Sequence, residues 1–338
     1  MTLTPPLPAG HSQDSAASAT VDTVRNTAAT ADFLWLELTG RCPLACTHCY
    51  AGSSPQGSHG TMMETDWRSV IDQAAALDVS MVQFIGGEPT AHPQFASLLR
   101  HAIGGGLAVE VYTNLLHVKE TWWDLFACPR VSLATSWYSD SPAQHDAITQ
   151  RRGSHAKTRA NIAEAIRRGI PLRAGIISLD GTQRTDQARV ELEALGVRSI
   201  GLDHLRQIGR GVRSPVPTLS QLCGNCGHGV AAISPTGDVW PCVFARWMTA
   251  GNVLHTPLAD ILAGQAMADA VAQIPGKRAR HQGSDPCKPG DTECGPTWRA
   301  ATPARTATMC TPHSCSPNRP CNPDGQDGCG PSSCKPVK

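Results

Sequence analysis

Three cysteines, Cys42, Cys46 and Cys49, stand within eight residues in the run Arg41-Cys42-Pro43-Leu44-Ala45-Cys46-Thr47-His48-Cys49-Tyr50. Their soft thiolates suit an iron–sulfur cluster or zinc better than a hard ion. A structural zinc site closes with four ligands, and His48, adjacent to Cys49, is badly placed to share its metal. Three thiolates can instead hold three corners of a 4Fe–4S cubane and leave one iron without a protein ligand. An open iron is what separates a catalytic cluster from an electron carrier. Spacing alone favours iron–sulfur over zinc and leaves zinc as the alternative.

The elements that must position these thiols follow from the hydrophobic pattern. Strand-like runs cover 33–39, 81–85, 108–112, 131–134, 172–177 and 199–202, and amphipathic stretches cover 64–77, 93–103, 119–127, 155–168 and 183–195. Strands separated by helices predict a parallel sheet with right-handed crossovers. Periodicity does not separate an open doubly wound sheet from a partial barrel, but in either the ligands gather at the carboxyl ends of the strands. Those ends carry polar or permissive residues. The second strand ends in Gly86-Gly87-Glu88-Pro89, the third in Thr113-Asn114 and the fourth in Thr135-Ser136-Trp137-Tyr138-Ser139. Gly86 and Gly87 lack a Cβ and allow close backbone approach. Asn114 suits either a polar contact or a turn.

Composition limits the rest. The 338 residues carry a formal net charge of +1, which supplies no electrostatic case for nucleic acid or an anionic membrane. No apolar run approaches the roughly 20 residues that cross a bilayer. Residues 1–31 are rich in Ala, Thr, Ser and Pro, with neither a signal-peptide core nor the arginines of a transit peptide. They read as a disordered leader on a cytoplasmic protein, in which fourteen cysteines point to metal or redox chemistry before disulfides. Cys128, alone after a helical pattern, reads as a half-buried thiol.

Ten cysteines fall between Cys223 and Cys334. Cys223-Gly224-Asn225-Cys226 precedes two strand-like pieces around Pro235-Thr236-Gly237-Asp238, a reverse-turn sequence. Such a hairpin can return Cys242 beside Cys223 or Cys226, as in a zinc knuckle, and a short helix is expected at 257–268. Beyond it Cys287, Cys294, Cys310, Cys315, Cys321, Cys329 and Cys334 each open a Cys-x-Pro unit. That tail is too polar for a core, so metal is the expected ordering agent; the plain alternative is a disordered tail with incidental thiols.

The CxxxCxxC run followed by Gly-Gly-Glu-Pro resembles the radical S-adenosylmethionine (SAM) superfamily, and the resemblance runs from about Phe33 to Arg213. It implies a partial (β/α)6 TIM-like barrel over 32–213. Cys42, Cys46 and Cys49 would hold a 4Fe–4S cluster whose open iron is chelated by SAM. It further places Gly86, Gly87 and Glu88 at the SAM amino group, Asn114 near SAM and Ser136 at the ribose. The family's Asp-Gly pair after that serine is replaced here by Trp137-Tyr138, which shape a pocket or simply pack. Arg173 is a candidate for the SAM carboxylate or ribose, or a snorkelling surface arginine. Ile176 is a candidate for adenine, and His48 occupies the place of an aromatic ring near adenine. His204 to Gly211 resembles the family's sixth-strand segment ending in Gly-Arg. Asp203, His204 and Arg206 are as suited to ordinary surface roles as to chemistry.

Residues 214–338 resemble a SPASM domain, a small cysteine-rich irregular domain with a β-hairpin. It would use Cys223, Cys226, Cys242 and the seven tail cysteines for one or two auxiliary 4Fe–4S clusters. The resemblance implies reductive cleavage of SAM to a 5′-deoxyadenosyl radical and hydrogen abstraction, most often from a ribosomally synthesised peptide that is cross-linked, epimerised or oxidised. A protein residue or a small metabolite is the alternative substrate, and a non-catalytic iron–sulfur or zinc protein the alternative class. The expected partners are the peptide, a one-electron donor such as ferredoxin or flavodoxin, and a separate leader-peptide-binding protein.

Overall fold

The computed structural model describes residues 31–213 and 219–275. The forecast leader and the seven tail cysteines from Cys287 to Cys334 lie outside the described residues. Six parallel strands follow one another in space as in sequence: β1 (Phe33–Glu37), β2 (Met81–Ile85), β3 (Ala108–Tyr112), β4 (Val131–Trp137), β5 (Leu172–Ser178) and β6 (Ser199–His204). Helices α1 (Glu64–Ala76), α2 (Phe95–Gly104), α3 (Glu120–Phe126), α4 (Pro142–Thr149), α5 (Ser154–Arg167) and α6 (Thr185–Ala194) fill the crossovers. The parallel sheet and its outer helices make the expected partial barrel.

Strand alternation divides the core. Leu34, Leu36, Val82, Phe84, Val109, Val111 and Leu133 face the helices, where Trp67, Ile71, Leu98, Phe126 and Ile162 meet them in one buried cluster. In α1 the buried Trp67, Val70, Ile71 and Ala74 recur at helical spacing, and the Asp66 carboxylate accepts the Met63 N–H at 2.8 Å to close the first turn. The alternate strand residues Trp35, Gln83, Ile85, Glu110, Tyr112, Ser136 and Arg173 face inward. Among them Trp35, Ile85 and Tyr112 share an inner apolar cluster with Trp240 and Val243.

Two elements differ from expectation. Helix α4 has only His145 and Thr149 buried, too sparse a stripe to announce itself in sequence. The forecast helix at 257–268 is two helices, α7 (Leu258–Ala263) and α8 (Gln265–Gln273), divided at Gly264, whose extended backbone (ψ 158°) ends the first. The forecast hairpin forms from β7 (Val230–Ile233) and β8 (Asp238–Trp240), with β9 (Gly251–Asn252) beside it. It does not stand apart. Strand β7 pairs in parallel with β1, Phe33 against Val230 and Leu36 against Ile233, so one nine-stranded sheet runs through barrel and hairpin. Among the described residues no helix is long and apolar enough to cross a membrane.

Candidate cofactor and metal site

The cysteine loop leaves the carboxyl end of β1 and is held from three sides. On one side it rests on the end of β2: the Gly87 and Glu88 N–H groups donate to the Thr39 and Arg41 carbonyls at 2.6 and 2.9 Å. Gly86 has φ +141°, and a Cβ there would lie 2.4 Å from the Thr39 oxygen. A Cβ on Gly87 would lie 2.3 Å from the Arg41 oxygen. The two glycines therefore admit the backbone of the cysteine loop itself. On the second side the Ala45 and Thr47 N–H groups donate to the carbonyls of Thr149 and Ile148 at the end of α4. On the third, Arg210 donates from Nε to the Cys46 carbonyl at 2.8 Å and from Nη2 to the Ser53 carbonyl at 2.6 Å. Gly209 (φ +59°) lets that arginine approach, since a Cβ there would meet the Tyr50 oxygen at 2.3 Å. The Gly-Arg pair after β6 thus clamps the loop, a role its sequence position alone did not reveal.

Polar groups from neighbouring strand ends converge on the same loop. Asn114 directs Nδ2 at Cys42 Sγ, 3.6 Å away, and its N–H donates to Glu88 at 2.8 Å. Glu88 also accepts from the Thr90 hydroxyl at 2.7 Å, so it ties the ends of β2 and β3 together. Burial raises its carboxyl above the usual range, and the Asn114 and Thr90 donors oppose that rise. Ser136 Oγ lies 3.1 Å from the Tyr112 hydroxyl. Tyr138 is buried and stands edge-on to His48 at 5.0 Å, on the side of the site that Ser136 and Cys46 share. Tyr138 faces the site whereas Trp137 packs on His145 and His155 behind it. His48 Nδ1 is buried without a partner among the described residues, and burial lowers the ring to about 4.

Cys42 and Cys46 share one small apolar cluster, and the Cys49 N–H donates to the Cys46 carbonyl at 3.2 Å. Burial pushes the Cys46 thiol up to about 12 and raises that of Cys42 as well, with Glu88 adding to the latter. Metal binding must therefore displace their protons. The donor set is three soft sulfurs, and its one nearby carboxylate is engaged by Thr90 and Asn114. The residues fit a polynuclear sulfur-ligated cluster with one open corner better than zinc.

Two inferred cofactor contacts are relocated. Ile176 lies in the helix-facing cluster with Leu133 and Leu202, not on the inner face of the sheet, because strand alternation turns its neighbour Ile177 inward. Arg173 is no surface arginine: it is buried and grips Glu110 through Nε and Nη2, each at 2.8 Å, and Glu110 also accepts from Gln83. This ion pair inside the barrel has to be satisfied because unpaired charge there is costly. Asp203 and Arg206 likewise form a mostly buried pair at 3.0 Å, and Glu37 pairs with Arg246 from the hairpin side at 2.8 Å. The Arg173–Glu110 and Arg246–Glu37 partnerships show in no local motif, since their partners are 63 and 209 residues apart.

The second cysteine group forms around the hairpin. Cys226 Sγ lies 3.0 Å from Cys242 Sγ, far longer than a disulfide. Contacts with the Cys223 and Cys242 thiols, followed by burial, hold the Cys226 proton on. Ala245, Met248 and Ile274 surround the group with apolar surface. Three thiols meet here too, and the set suits a sulfur-ligated cluster completed from elsewhere.

Comparison with known proteins agrees with this geometry. The family model for the radical SAM superfamily matches residues 36–192, and that for an iron–sulfur cluster-binding SPASM domain matches 223–294. A PqqA peptide cyclase of Xanthomonas campestris pv. campestris is 32% identical over 269 residues, covering 67% of this chain and 72% of the relative. One from Ruegeria pomeroyi is 35% identical over 166 residues, 47% of this chain and 44% of the relative's length. Among solved structures, Streptococcus suis SuiB bound to the precursor peptide SuiA superposes with a TM-score of 0.61 at 14% identity, over 72% of this chain and 67% of that one.

Proposed function

This chain belongs to the radical SAM superfamily, and from that premise we propose that it is a peptide-modifying radical SAM enzyme with auxiliary iron–sulfur clusters. The observation that carries the reading is the convergence on one strand-end loop of three thiols, the Gly86–Glu88 segment and Asn114. When bound, a 4Fe–4S cluster and SAM together supply a 5′-deoxyadenosyl radical after one-electron reduction.

The protein's part is to hold and orient. Cys42, Cys46 and Cys49 are the proposed cluster ligands. The Gly86–Glu88 segment, Asn114, Ser136 and His48 form the proposed SAM-binding wall, with Tyr138 beside them. Arg173 orients that wall from below through Glu110 and Tyr112, over whose ring its guanidinium lies at 5.5 Å. Residues 32–213 carry this chemistry, and 214–338 hold the auxiliary clusters, with Cys223, Cys226 and Cys242 contributing ligands. The buried walls exclude water from a reactive intermediate. A ribosomally made peptide is the substrate class supported by the names of the relatives, PqqA peptide cyclases, and by the fold shared with a precursor-peptide complex.

Anaerobic reconstitution with iron and sulfide, followed by chromatography for 5′-deoxyadenosine in the presence of dithionite, tests the proposal. Product is expected at a rate that rises when the cognate precursor peptide is added. A cluster-loaded protein that releases none would make it an iron–sulfur protein without SAM chemistry.

A further inference from the structure

The outer surface beside the cysteine loop carries a group of basic residues, of which Lys119 lies over the Trp122 ring at 4.8 Å. Arg151 and Arg152 precede α5, Lys157 lies in its first turn, and His117 and Lys119 project from the loop after β3; all five are exposed. Two hydrogen bonds bring these segments together. Thr158 donates to the Asn114 carbonyl at 2.9 Å, and Asn161 donates to the Leu115 carbonyl at 2.7 Å. Arg151 and Lys157 lie close enough to His117 to oppose its protonation, after the larger effect of partial burial.

Among the described residues Arg151, Arg152 and Lys157 form no ion pair, whereas Arg159, Arg167, Arg168 and Arg184 all do. The carboxylates nearest the group are already engaged. Asp146 accepts from the N–H groups of Gly153 and His155, and Glu120 pairs with Arg168. Cations at a helix N-terminus also oppose the helix dipole, each at a cost of about 0.3–1 kcal/mol. Helix α5 has no acidic residue in its first turn. A local arrangement that works against stability points to use.

The group lies directly outside the proposed cluster loop. Leu116, next to His117, packs with Cys42, Leu44 and Cys46. Asn114 touches Cys42 Sγ and stands only three residues, at most about 11 Å of chain, from His117. The end of α4, which runs into Arg151, receives the N–H groups of Ala45 and Thr47.

We propose that Arg151, Arg152 and Lys157, with His117 and Lys119, form the docking surface for an acidic one-electron carrier protein of the flavodoxin or ferredoxin type. The inference rests on the radical SAM reading. The whole chain is close to neutral at +1, so this local excess of positive charge can steer an acidic partner to the face beside the cysteine loop. One electron leaves the reduced carrier for the cluster, and no atom is transferred at the contact.

The test compares two reductants on the reconstituted full chain: an acidic flavodoxin kept reduced by its NADPH-dependent reductase, and dithionite. In the triple variant Arg151→Glu, Arg152→Glu, Lys157→Glu, flavodoxin-driven 5′-deoxyadenosine formation is expected to fall at least about tenfold, as loss of electrostatic steering does. The dithionite-driven rate should stay within about twofold. Binding of oxidised flavodoxin to the wild-type protein should weaken steeply as ionic strength rises from about 0.05 to about 0.3 M, and be lost in the variant. Glutamates at these positions suit the α5 dipole, so lost docking cannot be ascribed to a weakened helix. Equal losses with both reductants, an unchanged flavodoxin response, or salt-independent binding would overturn the proposal. The binding measurement does not depend on turnover, so a wild-type protein that binds flavodoxin yet releases no 5′-deoxyadenosine refutes the enzyme reading and not the docking surface.

Discussion

The two cysteine groups reach convergence by different routes. Cys42, Cys46 and Cys49 come from one loop, so seven residues of spacing already place them in a common neighbourhood. Cys226 and Cys242 are 16 residues apart and meet only because β7 and β8 turn back on each other. Their surroundings differ as well. The first group is flanked by Asn114, Glu88, Tyr138 and Arg210, the second by Ala245, Met248 and Ile274. Polar groups beside a proposed cluster can position a cofactor, and an apolar shell can tune its potential but offers nothing to bind. The contrast supports the proposal of SAM chemistry at the first group and of electron handling or scaffolding at the second.

The largest expected effect separates those roles outright. Cys42→Ala should abolish 5′-deoxyadenosine formation, while Cys226→Ala should retain it, lose roughly four irons per chain and fail to complete the peptide product. Iron analysis and product chromatography on the two variants provide the check. If Cys226→Ala also abolished SAM cleavage with its first cluster loaded, the division of labour would be wrong.

Glycine substitution sharpens the same contrast at a smaller scale. In Gly87→Ala the new methyl carbon would meet backbone, the Arg41 oxygen at 2.3 Å. A loss on the order of 2 kcal/mol or more is expected in urea unfolding, together with poor loading of the first cluster. In Gly237→Ala, at the hairpin turn, φ is +87° and the nearest atom is the side-chain oxygen of Asn252 at 2.7 Å. The obstacle is a side chain rather than backbone, though one held by Thr236, Asp238 and Leu254, so a loss of about 1–2 kcal/mol is expected there.

A pH dependence confined to the barrel side extends the contrast. His145 on α4 is buried and lowered to about 4, first by desolvation and then by His155. Its unfolded value is near 6.5, so between these limits the unfolded chain binds the extra proton. The stability that the neutral ring contributes is complete above about pH 6.5 and is lost as pH falls toward 4, on the order of 1–2 kcal/mol. Protection of the Ala45 and Thr47 amides, which bond to the end of α4, relative to their intrinsic exchange rates should fall at pH 5 before that of the β7–β8 hairpin. In His145→Phe the difference between pH 7 and pH 5 should shrink.

Much of this molecule was legible from local pattern. The β2 and β3 boundaries, five of the six barrel helices to within two residues, the cysteine loop and the Gly86-Gly87-Glu88 strand end could be read because each rests on spacing within one segment. Helix α4 could not, since two buried residues make no stripe. Ile176 was misplaced by one step of strand alternation, which only the pairing register settles.

By itself the sequence supplied soft sulfur donors in a three-ligand set and alternating strands and helices to hold them, and its family resemblance implied the barrel and the cluster. The tertiary structure decided what surrounds those donors. It turned Gly86 and Gly87 into the seat of the cysteine loop and Arg210 into its clamp. It also buried Arg173 against Glu110 and joined the hairpin to the barrel sheet. The physical reason is range. Spacing within a loop is set by a few backbone angles, whereas a buried charge finds its partner only when strands distant in sequence close around it.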